Sequence, residues 1–182
     1  EDAVYAGFVW AGDSRGYLLD GNGLSQVTED DVDSADAYQN LFDDSIMTNR
    51  VHGNPAKPLF RLHASRVKLQ KPCIIICATD GCYDYFNSPM VFEFFLISML
   101  VTSDSFAQAE EKLLEILHDR SGDDCSLIAA FYGFSDYAGV KAFLHDRFET
   151  LRADKNSFDA DYWSSGYMQQ YYRFNPRRKA LP

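Results

Sequence analysis

Hydrophobic positions fall into short runs over the first half of the chain and into helical stripes over the second. Asp2–Ala11 is almost wholly apolar, through Val4, Phe8, Val9 and Trp10, and predicts a buried strand. Gly12-Asp13-Ser14-Arg15 interrupts it, and Gly16–Leu19 resumes strand character. Asp20-Gly21-Asn22-Gly23 is a turn signal, after which Leu24–Thr28 returns, so the chain opens as a β-meander. Gly53–Pro58 reads as a loop and Leu59–Val67 as a further strand. Cys73–Ala78 is short, β-branched and apolar on both faces, the pattern of a central strand.

Helical spacing then takes over. Ser88 followed by Pro89 places an N-cap and first position ahead of a largely apolar helix to about Val101. Ser105–Gln108 fits a capping box, and the next helix sets Phe106, Ala109, Leu113, Leu114 and Leu117 on one face. Gly122 stops it, and Ser126–Tyr132 is predicted as a last buried strand. Val140–Arg152 can form an amphipathic helix through Val140, Phe143, Leu144, Phe148 and Leu151. Strands followed by paired helices imply an α+β architecture, an antiparallel sheet with packed helices. The segment from Ala153 is rich in aromatics, with Phe158, Tyr162, Trp163, Tyr167, Tyr171, Tyr172 and Phe174, which we expect to pack back on their own domain.

Charge narrows the function classes. The net charge of −10 argues against nucleic acid, which needs a basic footprint, and against adhesion to anionic membranes. Residues 1–140 balance to −13 and residues 141–182 to +3, a shift that can mark an appended element. The most apolar stretch, Pro89–Val101, is too short to span a bilayer and contains Glu93. No export signal is visible, and Cys73, Cys77, Cys82 and Cys125 form no CxxC pair, so a cytoplasmic protein with reduced cysteines is expected. The seven acids between Glu29 and Asp44 do not make a calcium loop, because Ala35 occupies a ligand position and the turn glycine is missing.

Two carboxylates stand out. Asp80 emerges directly from the apolar strand Cys73–Ala78, and Asp123 precedes the strand Ser126–Tyr132. If those strands are antiparallel neighbours, both acids converge at one rim, where a hard divalent cation takes oxygen ligands. Both also have an ordinary reading as turn residues beside strand and helix ends.

Their order and context add more. The series Gly12-Asp13-Ser14-Arg15, then Val27-Thr28-Glu29-Asp30, then Thr79-Asp80-Gly81-Cys82-Tyr83-Asp84, then Asp123-Asp124-Cys125-Ser126 resembles the metal-dependent, PPM-type (type-2C) serine/threonine protein phosphatases. The resemblance covers about residues 3–132. It implies part of an α-β-β-α sandwich, a binuclear manganese or magnesium site, and hydrolysis of phosphoserine or phosphothreonine in a phosphoprotein substrate by metal-activated water. It assigns Asp80 and Asp123 as metal ligands and Gly12–Arg15 as a structural turn.

Departures from the family pattern are specific. Asp31 stands where the family has histidine, and Asp124 where it has asparagine. The family's first half, with its phosphate-contacting arginine and its metal-bridging aspartate, is unmatched, and Glu1-Asp2 only superficially resembles the family's acidic pair. Residues 1–135 are therefore expected to be the C-terminal portion of a catalytic domain, and residues 136–182 a helical, aromatic-rich extension. Two carboxylates cannot bridge and position a metal pair, so this chain alone is expected to lack efficient phosphatase activity. A non-catalytic, phosphatase-like interaction module is the alternative, and a small β-rich binding domain a third reading. A sheet face left without its partner strands would favour a homodimer.

Overall fold

A computed structural model describes residues 4–32, 36–38, 47–49, 53–54 and 60–175. Glu1-Asp2, most of the acidic stretch after Val32, most of the loop at 53–58, Leu59 and the basic end Arg177-Arg178-Lys179 lie outside the described residues. Among the described residues, six strands form two antiparallel sheets. Strands β1 (Tyr5–Trp10) and β4 (His63–Lys68) pair alone, while β2 (Arg15–Asp20), β3 (Gly23–Gln26), β5 (Cys73–Ala78) and β6 (Leu127–Tyr132) make a sheet of order β3-β2-β5-β6. The turn after Asp20 is closed by Asn22 N–H donating to the Asp20 carboxylate at 2.9 Å.

The two sheets face each other through Phe8 and Val67 on one side and Leu18 and Cys73 on the other. Gly16 lets them approach: a Cβ there would lie 2.6 Å from the Phe8 ring. The opposite face of the four-stranded sheet, with Tyr17, Leu19, Leu24, Ile74 and Ile76, meets the helical layer and forms the main core. That layer holds α1 (Pro89–Thr102), α2 (Phe106–Arg120) and α3 (Tyr137–Asp154). Each starts on a side-chain cap, from Ser88 to Val91 N–H, Ser105 to Gln108 N–H, and Asp136 to Gly139 N–H.

The aromatic segment folds back as expected. Trp163, Tyr167, Tyr171 and Tyr172 are buried in the main core, and Glu93, fully buried in α1, binds the Arg147 guanidinium of α3 at 2.8 and 3.0 Å and the Tyr167 hydroxyl. The ion pair fastens α1 to α3, and the tyrosine fastens the C-terminal segment to both.

Three expectations of burial need correction. Of β1 only Phe8 is buried, and Val9 is 70% exposed. β6 is an edge strand with Ile128 74% exposed, and Cys77 of the central strand is exposed as well. The cause is common to all three: the two-stranded sheet covers only part of the larger sheet, leaving a cleft of about 670 Å³ that β1, β5 and β6 line. On α2, Ala109 and Leu117 are buried while Phe106 and Leu114 are exposed, because the helix stands off the sheet.

Candidate functional site

Strand β5 runs antiparallel to β6 with Ala78 opposite Leu127, so the segment leaving β5 lies beside the segment entering β6. That adjacency brings Thr79-Asp80-Gly81 against Asp123–Ser126. Four contacts join them. Thr79 N–H donates to Ser126 O at 3.0 Å, Ser126 N–H to Thr79 Oγ1 at 2.9 Å, Cys82 Sγ–H to Ser126 O at 3.2 Å and Cys125 Sγ–H to Gly81 O at 3.0 Å. A single 3-10 turn, Asp80–Cys82, then reverses the chain. Glycine is required within it, since a Cβ on Gly81 would lie 2.5 Å from Asp124 O. Burial pushes the Cys82 thiol up, which keeps it protonated as a donor.

The carboxylates of Asp80 and Asp123 are each tied to their own turn. Asp80 Oδ1 accepts from Gly81 N–H at 2.8 Å and Asp123 Oδ1 from Asp124 N–H at 2.7 Å. Asp123 is exposed and Asp80 half-buried.

Below Asp80 lies a buried polar floor. Arg15 donates through Nε and Nη2 to Asp30 Oδ2 at 2.9 and 2.7 Å, and its guanidinium stacks 3.8 Å from the Tyr83 ring centre. Burial alone would lower the Arg15 pKa, but Asp30 and the neighbouring tyrosines outweigh it and hold the guanidinium charged. Asp30 Oδ1 accepts from Gln26 Nε2 at 2.6 Å, and the Tyr83 hydroxyl donates to Asp13 O at 2.6 Å. The floor thus links the turn Gly12–Arg15 to the segment after Asp80.

The motif reading leaves Asp13 and Asp84 without a role, yet both carboxyls share the field of Asp80. Asp13 is raised by burial and by the Asp80 charge. Asp84 is pushed up to about 6 by loss of solvation, opposed by Arg15, and by the charges of Asp80, Asp30 and Asp13. Its position in Tyr83-Asp84 was readable, but not its neighbours.

Asp31, where the family has histidine, is a hub. Its carboxylate binds Gly12 N–H at 2.9 Å, Asn49 Nδ2 at 2.6 Å and His63 Nε2 at 2.8 Å, and its carbonyl accepts from Thr48 N–H at 2.7 Å. His63 in turn stacks on Trp10, with ring centres 5.3 Å apart. An aspartate here recruits a histidine from β4, and the partners lie 32 residues apart in the chain.

These residues do not by themselves form a metal centre. Among the described residues no group of three or more histidine, cysteine, aspartate or glutamate side chains is arranged to hold one ion. Asp80 and Asp123 stand on adjoining segments and offer at most two carboxylates, fewer than the oxygen set that a divalent cation needs from protein and water together in a rigid site. Among the described residues, no helix is long and apolar enough to cross a membrane.

No protein-family model matches the chain, and no curated protein sequence is significantly similar to it. Solved structures are. PppA of Pseudomonas aeruginosa, described as a key regulatory component of its T6SS, aligns over 70% of this chain and 52% of its own, with 21% identity and a TM-score of 0.51. The serine/threonine phosphatase Stp1 of Staphylococcus aureus aligns over 72% and 52%, with 16% identity and a TM-score of 0.53. A bacterial serine phosphatase aligns over 70% and 53%, with 15% identity and a TM-score of 0.51. The chain spans about half the length of each of these structures. Over that half, its antiparallel sheets and packed helices have the fold of the PPM-type serine/threonine phosphatases that its motifs resemble.

Proposed function

We propose that the chain is part of a metal-dependent protein serine/threonine phosphatase, acting on phosphoserine or phosphothreonine in protein substrates. Residues 1–135 would be the C-terminal portion of the catalytic domain, and residues 136–182 an extension packed on it. The observation that supports this reading is the adjacency of Thr79-Asp80-Gly81 and Asp123–Ser126 at one end of β5 and β6, within a phosphatase fold. Asp80 and Asp123 are the ligands this chain would contribute to manganese or magnesium. The remaining donors must come from outside the described residues, so residues 1–182 alone should release phosphate poorly.

Phosphate release from a phosphothreonine peptide, measured with manganese and with magnesium, tests both parts. The chain alone should show little turnover, and a longer form carrying an added acidic motif should show strong turnover that Asp80→Asn removes. Efficient, metal-dependent release by residues 1–182 would overturn the incomplete-site reading. A second reading, a non-catalytic phosphatase-like module, draws on the lack of a three-donor set among the described residues. It predicts no turnover from any longer form.

A further inference from the structure

Helix α2 should bury its apolar stripe, and it does so only in part, at Ala109 and Leu117. Leu114 is 61% exposed, Leu113 is half-buried, and a cavity of about 300 Å³ opens between the helix and β5 and β6. Its walls include Ile76, Leu96, Phe131 and Leu113, with Glu110 the one charged side chain at its edge. One end is closed by aromatic rings, Phe106 lying edge-on to Phe131 at 4.7 Å and to Tyr137 at 4.8 Å. A second hollow of about 330 Å³ shares Glu110, Leu113 and Leu127 with the first and continues along α2 to Leu114, Asp123 and Asp124. The two make one groove, apolar within and acidic at its edge.

The bases near it are turned away. Lys112 Nζ donates to Thr102 O at 2.8 Å, and the Arg120 guanidinium lies over Phe95 and Phe86. Among the described residues no lysine, arginine or histidine nitrogen lies within ion-pair distance of Glu110, Asp123 or Asp124. His118 is the one basic-type side chain lining the groove. Apolar walls gain by excluding water, and exposed, unpaired carboxylates favour a cationic neighbour.

We propose that this groove docks a protein segment carrying a bulky apolar side chain followed by basic residues. The apolar anchor enters the cavity beneath α2, and the basic residues meet Glu110 and, at the far end, Asp124. From Glu110 to Leu117 the helix rises about 10 Å. An extended segment covers that distance in about three residues, which sets the spacing between anchor and base. The surface stands apart from the phosphatase reading, because its occupancy is measured without turnover.

The test uses a fluorescein-labelled ten-residue peptide in which Phe-Leu is followed, three positions on, by Arg-Lys-Arg, titrated with the full chain and followed by fluorescence anisotropy. Saturable binding is expected, weakened roughly tenfold or more in Glu110→Lys and in Leu114→Asp. Both positions are exposed, and unchanged circular dichroism verifies the fold. Ala129→Phe, which fills the cavity, should weaken it equally. A peptide with glutamates in place of the bases should not bind. Absence of saturation up to millimolar chain, equal affinity for the acidic peptide, or sensitivity to the charge change alone would each overturn the proposal.

Discussion

Replacing Arg15 by methionine probes the polar floor beneath Asp80. The substitution keeps the length and most of the volume of the side chain but removes the charge. Asp30, whose side chain is 2% exposed, then keeps only Gln26 Nε2 as a neutral partner on its carboxylate. Leaving one member of a buried ion pair unpaired costs about 3–5 kcal/mol. The stacking of Arg15 on Tyr83 at 3.8 Å is lost as well, which places the expected cost in the upper part of that range. For a chain of this size, each kcal/mol moves the melting temperature by about 2–4 °C, so a fall of roughly 10–15 °C is expected. Urea unfolding followed by circular dichroism gives the free energy directly. The double variant Arg15→Met, Asp30→Asn removes both charges and should recover most of the loss, because the buried carboxylate is gone. A single-variant loss under about 1 kcal/mol, or a double variant as damaged as the single, would refute the view that a desolvated ion pair underlies the site.

Other expectations follow from the same geometry. Asp84 has a folded-state pKa raised to about 6 from the ordinary aspartate value of 3.8, so the folded chain binds more protons between those values. Stability should therefore fall as pH rises from about 4 to 6, and thermal melts of Asp84→Asn should be flatter over that range and higher at pH 7. Asp31→Ala removes the carboxylate that holds Gly12, Asn49 and His63, and should cost about 2–3 kcal/mol, with faster hydrogen exchange at Gly12. An Asp31→Ala variant with wild-type exchange at Gly12 would show that the turn holds itself. For the open cleft, we expect concentration-dependent self-association as a homodimer, read by light scattering. Val9 and Ile128, 70% and 74% exposed, would each contribute about 1.5–3 kcal/mol if fully buried, so Ile128→Lys should restore the monomer.

Much of the framework was legible because its signals are local. The turn at Asp20–Gly23, the caps at Ser88 and Ser105 and the β-branched run Cys73–Ala78 each carry their own chemistry, and each appears where its residues predict. The adjacency of the segments that carry Asp80 and Asp123 was legible for a different reason: it needed only that two apolar strands be antiparallel neighbours. Burial was read less well. Val9, Cys77, Ile128 and Leu114 are apolar residues in regular elements, and their patterns say which side wants cover without saying what covers it. Nor could the field around Asp80 be read from spacing. Asp13 is 67 residues away in the chain, and the pairing of β2 with β5, Arg15 opposite Ala78, brings it close, together with the Tyr83–Asp13 hydrogen bond.

That field bears on what the site is for. Asp13, Asp30, Asp80 and Asp84 act on one another, with Arg15 the one cation among the described residues that opposes them, and Arg15 is already committed to Asp30. A surface selected for stability alone would place a lysine or arginine among such carboxylates, or would replace one of them by an amide. Loss of solvation is the largest cause of the raised Asp84 carboxyl, and the neighbouring carboxylates add to it. The rigid part of the site fits that view. The four contacts between the segments at Thr79 and Ser126, and the buried pair below them, fix the backbone that carries the acids while leaving Asp123 and Asp84 open to solvent. A fixed backbone under mutually repelling acids is compatible with the cation site proposed above. The catalytic reading requires a cation at that rim and a water placed for attack, and the non-catalytic reading requires neither.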